Sequence, residues 1–135
     1  MQLPEVFVIA PFDRELQPVL EAVGRAAIEA GFTVASLDQM PPGALFTSSI
    51  LDRIRQADLI IADVSRQNSN VMYELGFAHA LRKPTILLLN IKSDDSAIPA
   101  DLAGLKFFLY DPANLRQLAD RVRSEVKAVT LQRSA

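Results

Sequence analysis

The chain has no cysteine, no tryptophan, a single histidine and only five glycines in 135 residues. Without cysteine there is no disulfide, no thiol nucleophile and no zinc–thiolate site, and the composition fits a reducing, cytoplasmic setting. The lone histidine, His79, excludes Ser/His/Asp catalysis of any convincing geometry and histidine-based metal binding, because it lies five positions after Glu74, about 140° around a helix. The glycines at 24, 31, 43, 76 and 104 spell neither the Gly-x-Gly-x-x-Gly fingerprint nor a Walker loop, which removes the usual dinucleotide dehydrogenases and P-loop enzymes. No metal and no resident cofactor is expected.

Charge of one sign is also lacking. Fourteen basic and sixteen acidic residues leave a formal charge of −2, too little field to displace counterions from a phosphate backbone, so nucleic acid is not an expected partner. No apolar run approaches the ~20 residues of a membrane span, and Met1-Gln2-Leu3-Pro4-Glu5 is not followed by a leader-like pattern. Neither a membrane segment nor a targeting signal is expected.

What is present is ordinary globular composition, half hydrophobic and 22% charged. A chain of this length suits one domain, residues 1–135, that buries roughly two thirds of its unfolded surface around one core. Val6-Phe7-Val8-Ile9-Ala10 is a short apolar run stopped by Pro11, which predicts a strand buried on both faces. Leu16, Val19, Leu20, Val23, Ala27 and Ala30 recur at helical steps, with Pro18 near the start and Gly31 past the end. Phe32 to Leu37 predicts a second strand. Thr47 or Ser48 is placed to cap a helix that turns Ile50, Leu51 and Ile54 inward. Residues 58–64 predict a third strand, about Asn70 to Leu81 a helix, residues 84–89 a fourth strand and Leu105 to Tyr110 a fifth. Asp111-Pro112 reads as the start of a last helix carrying Leu115, Leu118, Ala119, Val122, Val126 and Val129 inward, with fraying from Thr130 on.

Strands alternating with helices through right-handed crossovers predict a doubly wound α/β domain, a five-stranded parallel sheet in the order 2-1-3-4-5 with helices on both faces. Ligands of such sheets bind beyond the carboxyl ends of the strands where the order reverses, here between strands 1 and 3. The candidate site is therefore Pro11, Phe12 and Asp13 after strand 1 and the stretch Asp63 to Glu74 after strand 3. Ser65, Asn68, Ser69 and Asn70 offer hydroxyl and amide groups beside a helix start whose free N–H groups favour an anion, although capping alone needs only one of them.

Glu74 is the residue out of place. It shares a helix face with Phe77, Ala78 and Leu81, and with Asn70 as N-cap the capping-box position falls on Tyr73, one residue too early for Glu74 to close it. Asp63 can bind backbone N–H groups of its own turn, or bind a ribose hydroxyl, or partner Glu74. Gly76, costly inside a helix, fits a close approach to its backbone by either the sheet or a ligand. The cations Arg53, Arg55, Arg66, Arg82 and Lys83 read mostly as surface charge. Arg66 is the exception, since its loop borders the site.

Three stretches carry a family likeness: Ala57-Asp58-Leu59-Ile60-Ile61-Ala62-Asp63-Val64, then Asn68-Ser69-Asn70-Val71-Met72-Tyr73-Glu74-Leu75-Gly76-Phe77-Ala78-His79-Ala80-Leu81, then Lys83-Pro84. They resemble the nucleoside 2-deoxyribosyltransferase-like superfamily, with its deoxynucleotide N-hydrolases and a bacterial TIR-like nucleotide-binding group. Ala10-Pro11-Phe12-Asp13 looks like the opening of that last group. The resemblance implies a flavodoxin-like, TIR-like three-layer sandwich and a transferase or hydrolase acting on the N-glycosidic bond of a nucleoside, nucleotide or NAD. Glu74 matches the glutamate that attacks the anomeric carbon, while Asp63 and the polar loop to Asn70 match the substrate-holding segment. A residue near Asn68 stands where nucleotide hydrolases hold the phosphate. A homo-oligomer is likewise implied. Strand 1 ends in Ala10-Pro11-Phe12 where the transferases and hydrolases usually carry tyrosine, serine or glycine. The second-helix acid is displaced, with Asp52 about two residues from register, and the general acid stays open among Asp13, Asp52 and Asp63. The alternative is a non-catalytic nucleotide-sensing or TIR-like interaction module.

Overall fold

The structure, a computed structural model, describes residues 2–11, 13–35, 46–66, 68–92 and 107–134. Along the chain these form β1 (Glu5–Ile9), a short 3-10 turn (Arg14–Leu16), α1 (Gln17–Glu29), β2 (Thr33–Ala35), α2 (Phe46–Gln56), β3 (Leu59–Asp63), α3 (Ser69–Ala80), β4 (Thr85–Asn90), β5 (Phe107–Tyr110) and α4 (Leu115–Ser134). The strands form one parallel sheet in the order β2-β1-β3-β4-β5. This is the α/β, flavodoxin-like arrangement that the alternation of elements predicts.

Alternation within each strand divides the core into two layers. Val6 and Val8 of β1, Leu59 and Ile61 of β3, Ile86 and Leu88 of β4, and Phe108 and Tyr110 of β5 pack against Val19, Val23, Ala26 and Ala27 of α1 and Leu118, Val122 and Val126 of α4. On the opposite face Phe7, Ile9, Ile60, Ala62, Leu87 and Leu89 meet Ile50 and Ile54 of α2 and Val71, Leu75 and Ala78 of α3. Since successive residues of a strand point to opposite faces, a sheet covered on both sides needs unbroken apolar strands. All five residues of β3 are buried. At the edge, β5 alternates, with Phe107 and Leu109 exposed.

Several boundaries differ from the sequence expectation. α2 begins at Phe46, so Thr47 and Ser48 fall inside it rather than at its cap. α4 begins at Leu115, because the Asp111 carboxylate accepts the Ala113 N–H in a turn and Asn114 Oδ1 accepts the Gln117 N–H as the actual cap. α4 also continues through Ser134 instead of fraying from Thr130. Helix ends follow whichever side chain captures a free N–H, and several polar residues in a row leave that choice open in sequence.

Both α1 and α3 close with a Schellman motif. After α1, Gly31 N–H donates to Ile28 O and Phe32 N–H to Ala27 O, with Gly31 at a φ of 96°. After α3, Arg82 N–H donates to His79 O and Lys83 N–H to Ala78 O, with Arg82 taking the left-handed position at a φ of 57°. Lys83 then turns its ammonium onto the end of α2, donating to the carbonyls of Arg55 at 2.7 Å and Ala57 at 2.8 Å. The Lys83-Pro84 pair thus ties α2 to the entrance of β4, a structural task for a cation that the sequence presents as surface charge.

Candidate functional site

The order reverses between β1 and β3, whose register pairs Ile9 with Ala62 at their carboxyl ends. Pro11, buried, leaves β1 here, and Asp13 caps the following 3-10 turn by accepting the Glu15 N–H at 2.9 Å. Phe12 lies outside the described residues. Across the crevice Arg66, from the loop after β3, ion-pairs with the other oxygen of Asp13 and reaches Glu15 at 2.7 Å. Arg66 therefore clasps the two loops that border the switch point.

Asp63 ends β3 and is 1% exposed. Its Oδ1 accepts the Ser65 N–H at 2.8 Å, as its turn chemistry predicts, and its Oδ2 accepts the hydroxyl of Tyr110 at 2.6 Å. Ser65 Oγ accepts the Asn90 N–H at 2.8 Å. Burial pushes the Tyr110 phenol far above its usual range, the Asp63 charge and hydrogen bond add to this, and Ser65 and Arg66 oppose it. Sequence offers no signal for Tyr110: it lies 47 positions from Asp63 and reads as the end of an apolar strand.

Asn68 caps α3, its Oδ1 accepting the Val71 N–H at 3.0 Å. The sequence predicts the cap at Asn70. Asn70 is instead the second helical residue, exposed beside exposed Ser69. With the cap at Asn68, the capping-box position is Val71, and Glu74 lies a full turn deeper into the helix than any such role requires.

Glu74 is 6% exposed among Val71, Leu75 and Ala78 on the face of α3 that packs against the sheet. Among the described residues its side chain makes no hydrogen bond or ion pair. Burial alone pushes its carboxyl from 4.5 up to about 7. Gly76 lies on the exposed side of the same helix with nothing within 4 Å of where a Cβ would stand, so close packing on the sheet is not what a glycine answers to here. His79 is exposed and apart from Glu74.

Pro11 and Asp13 follow β1, Asp63, Ser65 and Asn68 lead from β3 into α3, and Ser69, Asn70 and Glu74 lie in the first two turns of that helix, but not all in one layer. Asp63 shares the pleat of Leu59 and Ile61, on the side of α1 and α4, whereas Glu74 belongs to the layer of α2 and α3. Asp52 is removed from both: it is exposed on α2 and paired with Arg55 at 3.2 Å. Among the described residues no cluster of three or more histidine and acidic side chains could hold a metal ion. No helix among them is long and apolar enough to cross a membrane.

No protein-family model and no curated protein matches this chain. Its likeness is to solved structures. The TIR domain of the Toll-related receptor TRR-2 of Hydra magnipapillata is 20% identical, with a TM-score of 0.69 over 90% of this chain and 97% of that one. The CMP N-glycosidase BcmB of Clostridium botulinum is 24% identical, with a TM-score of 0.64 over 84% of this chain and 97% of that one. A signal receiver domain of a LuxO-type repressor protein of Vibrio parahaemolyticus is 16% identical, with a TM-score of 0.60 over 97% of this chain and 95% of that one. The fold is TIR-like and also that of a nucleotide N-glycosidase; function has to be argued from the site.

Proposed function

We propose that the chain cleaves the N-glycosidic bond of a nucleoside, nucleotide or NAD, with Glu74 as the nucleophile. One observation carries this reading: Glu74 is buried on the sheet-facing side of α3, the helix that follows the switch-point strand β3, with no partner among the described residues. A carboxylate is not set beside apolar neighbours for stability, because removing it part-way from water without a partner disfavours its charged form. Its value lies in reactivity.

In the first step a Glu74 oxygen bonds to the anomeric carbon as the carbon–nitrogen bond breaks, and the bonding pair leaves with the base. Water, whose proton passes to solvent, or a second base in a transferase, then displaces the carboxylate from the same carbon. A neutral base needs a proton as it departs, whereas the pyridinium of NAD departs neutral without one. Among the described residues Asp13 is held by Arg66 and Asp63 by Ser65 and Tyr110, while Asp52 is on the outside of α2. The free N–H groups at the start of α3, with Ser69 and Asn70 beside them, suit an anionic or hydroxyl-rich part of the ligand.

The likeness to a CMP N-glycosidase supports this reading. The engagement of all three candidate acids favours a second one, a nucleotide-sensing or TIR-like interaction module without turnover. Cytoplasmic residence and assembly into a homo-oligomer belong to both. Mass spectrometry of products after incubation with deoxynucleosides, their monophosphates and NAD separates them. Free base released by the wild-type chain and not by Glu74→Gln is the expected result. Calorimetric binding without base release favours the module instead, and equal release by the variant overturns the nucleophile.

A further inference from the structure

From the geometry at the carboxyl ends of β3, β4 and β5 we infer that Tyr110 is a positioning residue for the site, acting through Asp63 and Ser65 on the approach to α3. This rests on the reading of Glu74 as nucleophile. Tyr110 Oη donates to Asp63 Oδ2 at 2.6 Å, and Asp63 Oδ1 takes the Ser65 N–H at 2.8 Å. Ser65 Oγ takes the Asn90 N–H at 2.8 Å. The result is a run of hydrogen bonds that joins Tyr110 of β5 to Asp63 at the end of β3 and, through Ser65, to Asn90 of β4. It is anchored on either side by the backbone bonds from Val64 N–H to Leu88 O at 2.9 Å and from Ile91 N–H to Tyr110 O at 2.9 Å.

These bonds fix the direction in which the chain leaves β3. Two residues beyond Arg66, Asn68 caps α3, and Glu74 follows in its second turn. Ser65, Arg66 and Asn68 are polar and at least partly exposed, so their placement draws on such bonds. Tyr110 is 3% exposed, and a phenol in that position stays a neutral donor throughout the pH range in which a protein is folded. It can therefore hold the Asp63 carboxylate constantly, which a titrating donor could not. An attacking oxygen displaced by about 1 Å costs on the order of a hundredfold in rate, so a hydroxyl that holds the loop acts on Glu74 without touching a ligand.

The test is Tyr110→Phe, which keeps the ring in its packing and removes one donor, measured with Asp63→Asn and the double variant. With the best substrate of the panel above, kcat is expected to fall roughly tenfold or more while KM stays within about twofold, and the double variant to be no slower than Asp63→Asn alone. A purely structural tyrosine lowers the melting temperature but leaves kcat at wild-type level well below the melt, and that result overturns the inference while leaving Glu74 in place. If the wild type binds a nucleotide but releases no base, the nucleophile fails and the same variants are read by calorimetry. Weaker binding in Tyr110→Phe, not additive with Asp63→Asn, then supports the positioning role, and unchanged binding overturns it. A wild-type chain that neither cleaves nor binds any member of the panel overturns both.

Discussion

Replacing Glu74 by glutamine isolates the free energy that the site withholds from folding. In the unfolded chain a glutamate carboxyl titrates near 4.5, and in the folded protein burial lifts it to about 7. Each pKa unit is worth about 1.4 kcal/mol, so the displacement corresponds to about 3 kcal/mol at full strength and about 2 kcal/mol after allowance for screening by nearby solvent. The folded state binds the proton more tightly. This contribution is therefore fully favourable only below the unfolded value, and stability is lost as pH rises from there through about 7, with no further loss above. Glutamine has no proton to lose. Between roughly pH 5 and pH 8 the wild type should lose about 1.5 kcal/mol relative to Glu74→Gln, which for a chain of this length is a relative shift of about 5 °C in melting temperature. Thermal unfolding of the two proteins followed by circular dichroism across that range measures it, with the other carboxylates cancelling in the comparison. Parallel curves would show that Glu74 is solvated or paired, and the reasoning that singles it out would fall.

The same carboxyl predicts a pH–rate profile. A nucleophile must be ionised, so kcat/KM should fall about tenfold per unit below an apparent pKa near 7, and a profile flat from about pH 5 to 8 would assign the acid limb elsewhere. Asn68→Ala should cost about 1 kcal/mol in chemical denaturation and Asn70→Ala less than about 0.5 kcal/mol; the reverse order would restore Asn70 as the cap. Arg82→Gly should stabilise by about 0.5–1 kcal/mol, because Arg82 holds the left-handed place in the α3 Schellman motif that Gly31 fills in α1, and a loss of stability would mean that the arginine side chain contributes there. Arg66→Gln should change stability by less than about 1 kcal/mol, an effect that added salt removes, since the clasp on Asp13 and Glu15 lies at the surface; a larger, salt-insensitive loss would refute a screened ion pair.

The sheet was legible because its determinants are local and redundant. β1, β3 and β4 are unbroken apolar runs, and only a sheet covered on both faces asks for them. Glu74 was legible for a related reason: a lone carboxylate at an apolar position of a helical period conflicts with its surroundings, and such conflicts collect at functional sites. Helix boundaries were less legible. Asn68, Ser69 and Asn70 are all competent caps, and what decides among them is which oxygen meets a free N–H, a matter of the angle at which the loop leaves β3. Lys83 and Tyr110 were not legible at all. Each acts on a group far away in the chain, Lys83 on the end of α2 and Tyr110 on Asp63, and a single sequence carries no record of such pairings.

The separation of Asp63 from Glu74 follows from pleat parity. Leu59, Ile61 and Asp63 point to one face of β3, and that face is covered by α1 and α4, while α3 brings Glu74 against the other. A proton could pass between the two carboxyls only around the carboxyl edge of the strands, through whatever ligand sits there. Asp63 is also bound through both oxygens, one bond buried and one part-buried, so releasing it for acid catalysis would cost both, and charge-assisted ones are worth about 1.5–3 kcal/mol each. Among the described residues Glu74 has no such bonds to give up. The proposed division of labour rests on that asymmetry: in it the carboxylate of Glu74 carries the reactivity, and Asp63, with Tyr110 and Ser65, holds the loop that leads into α3.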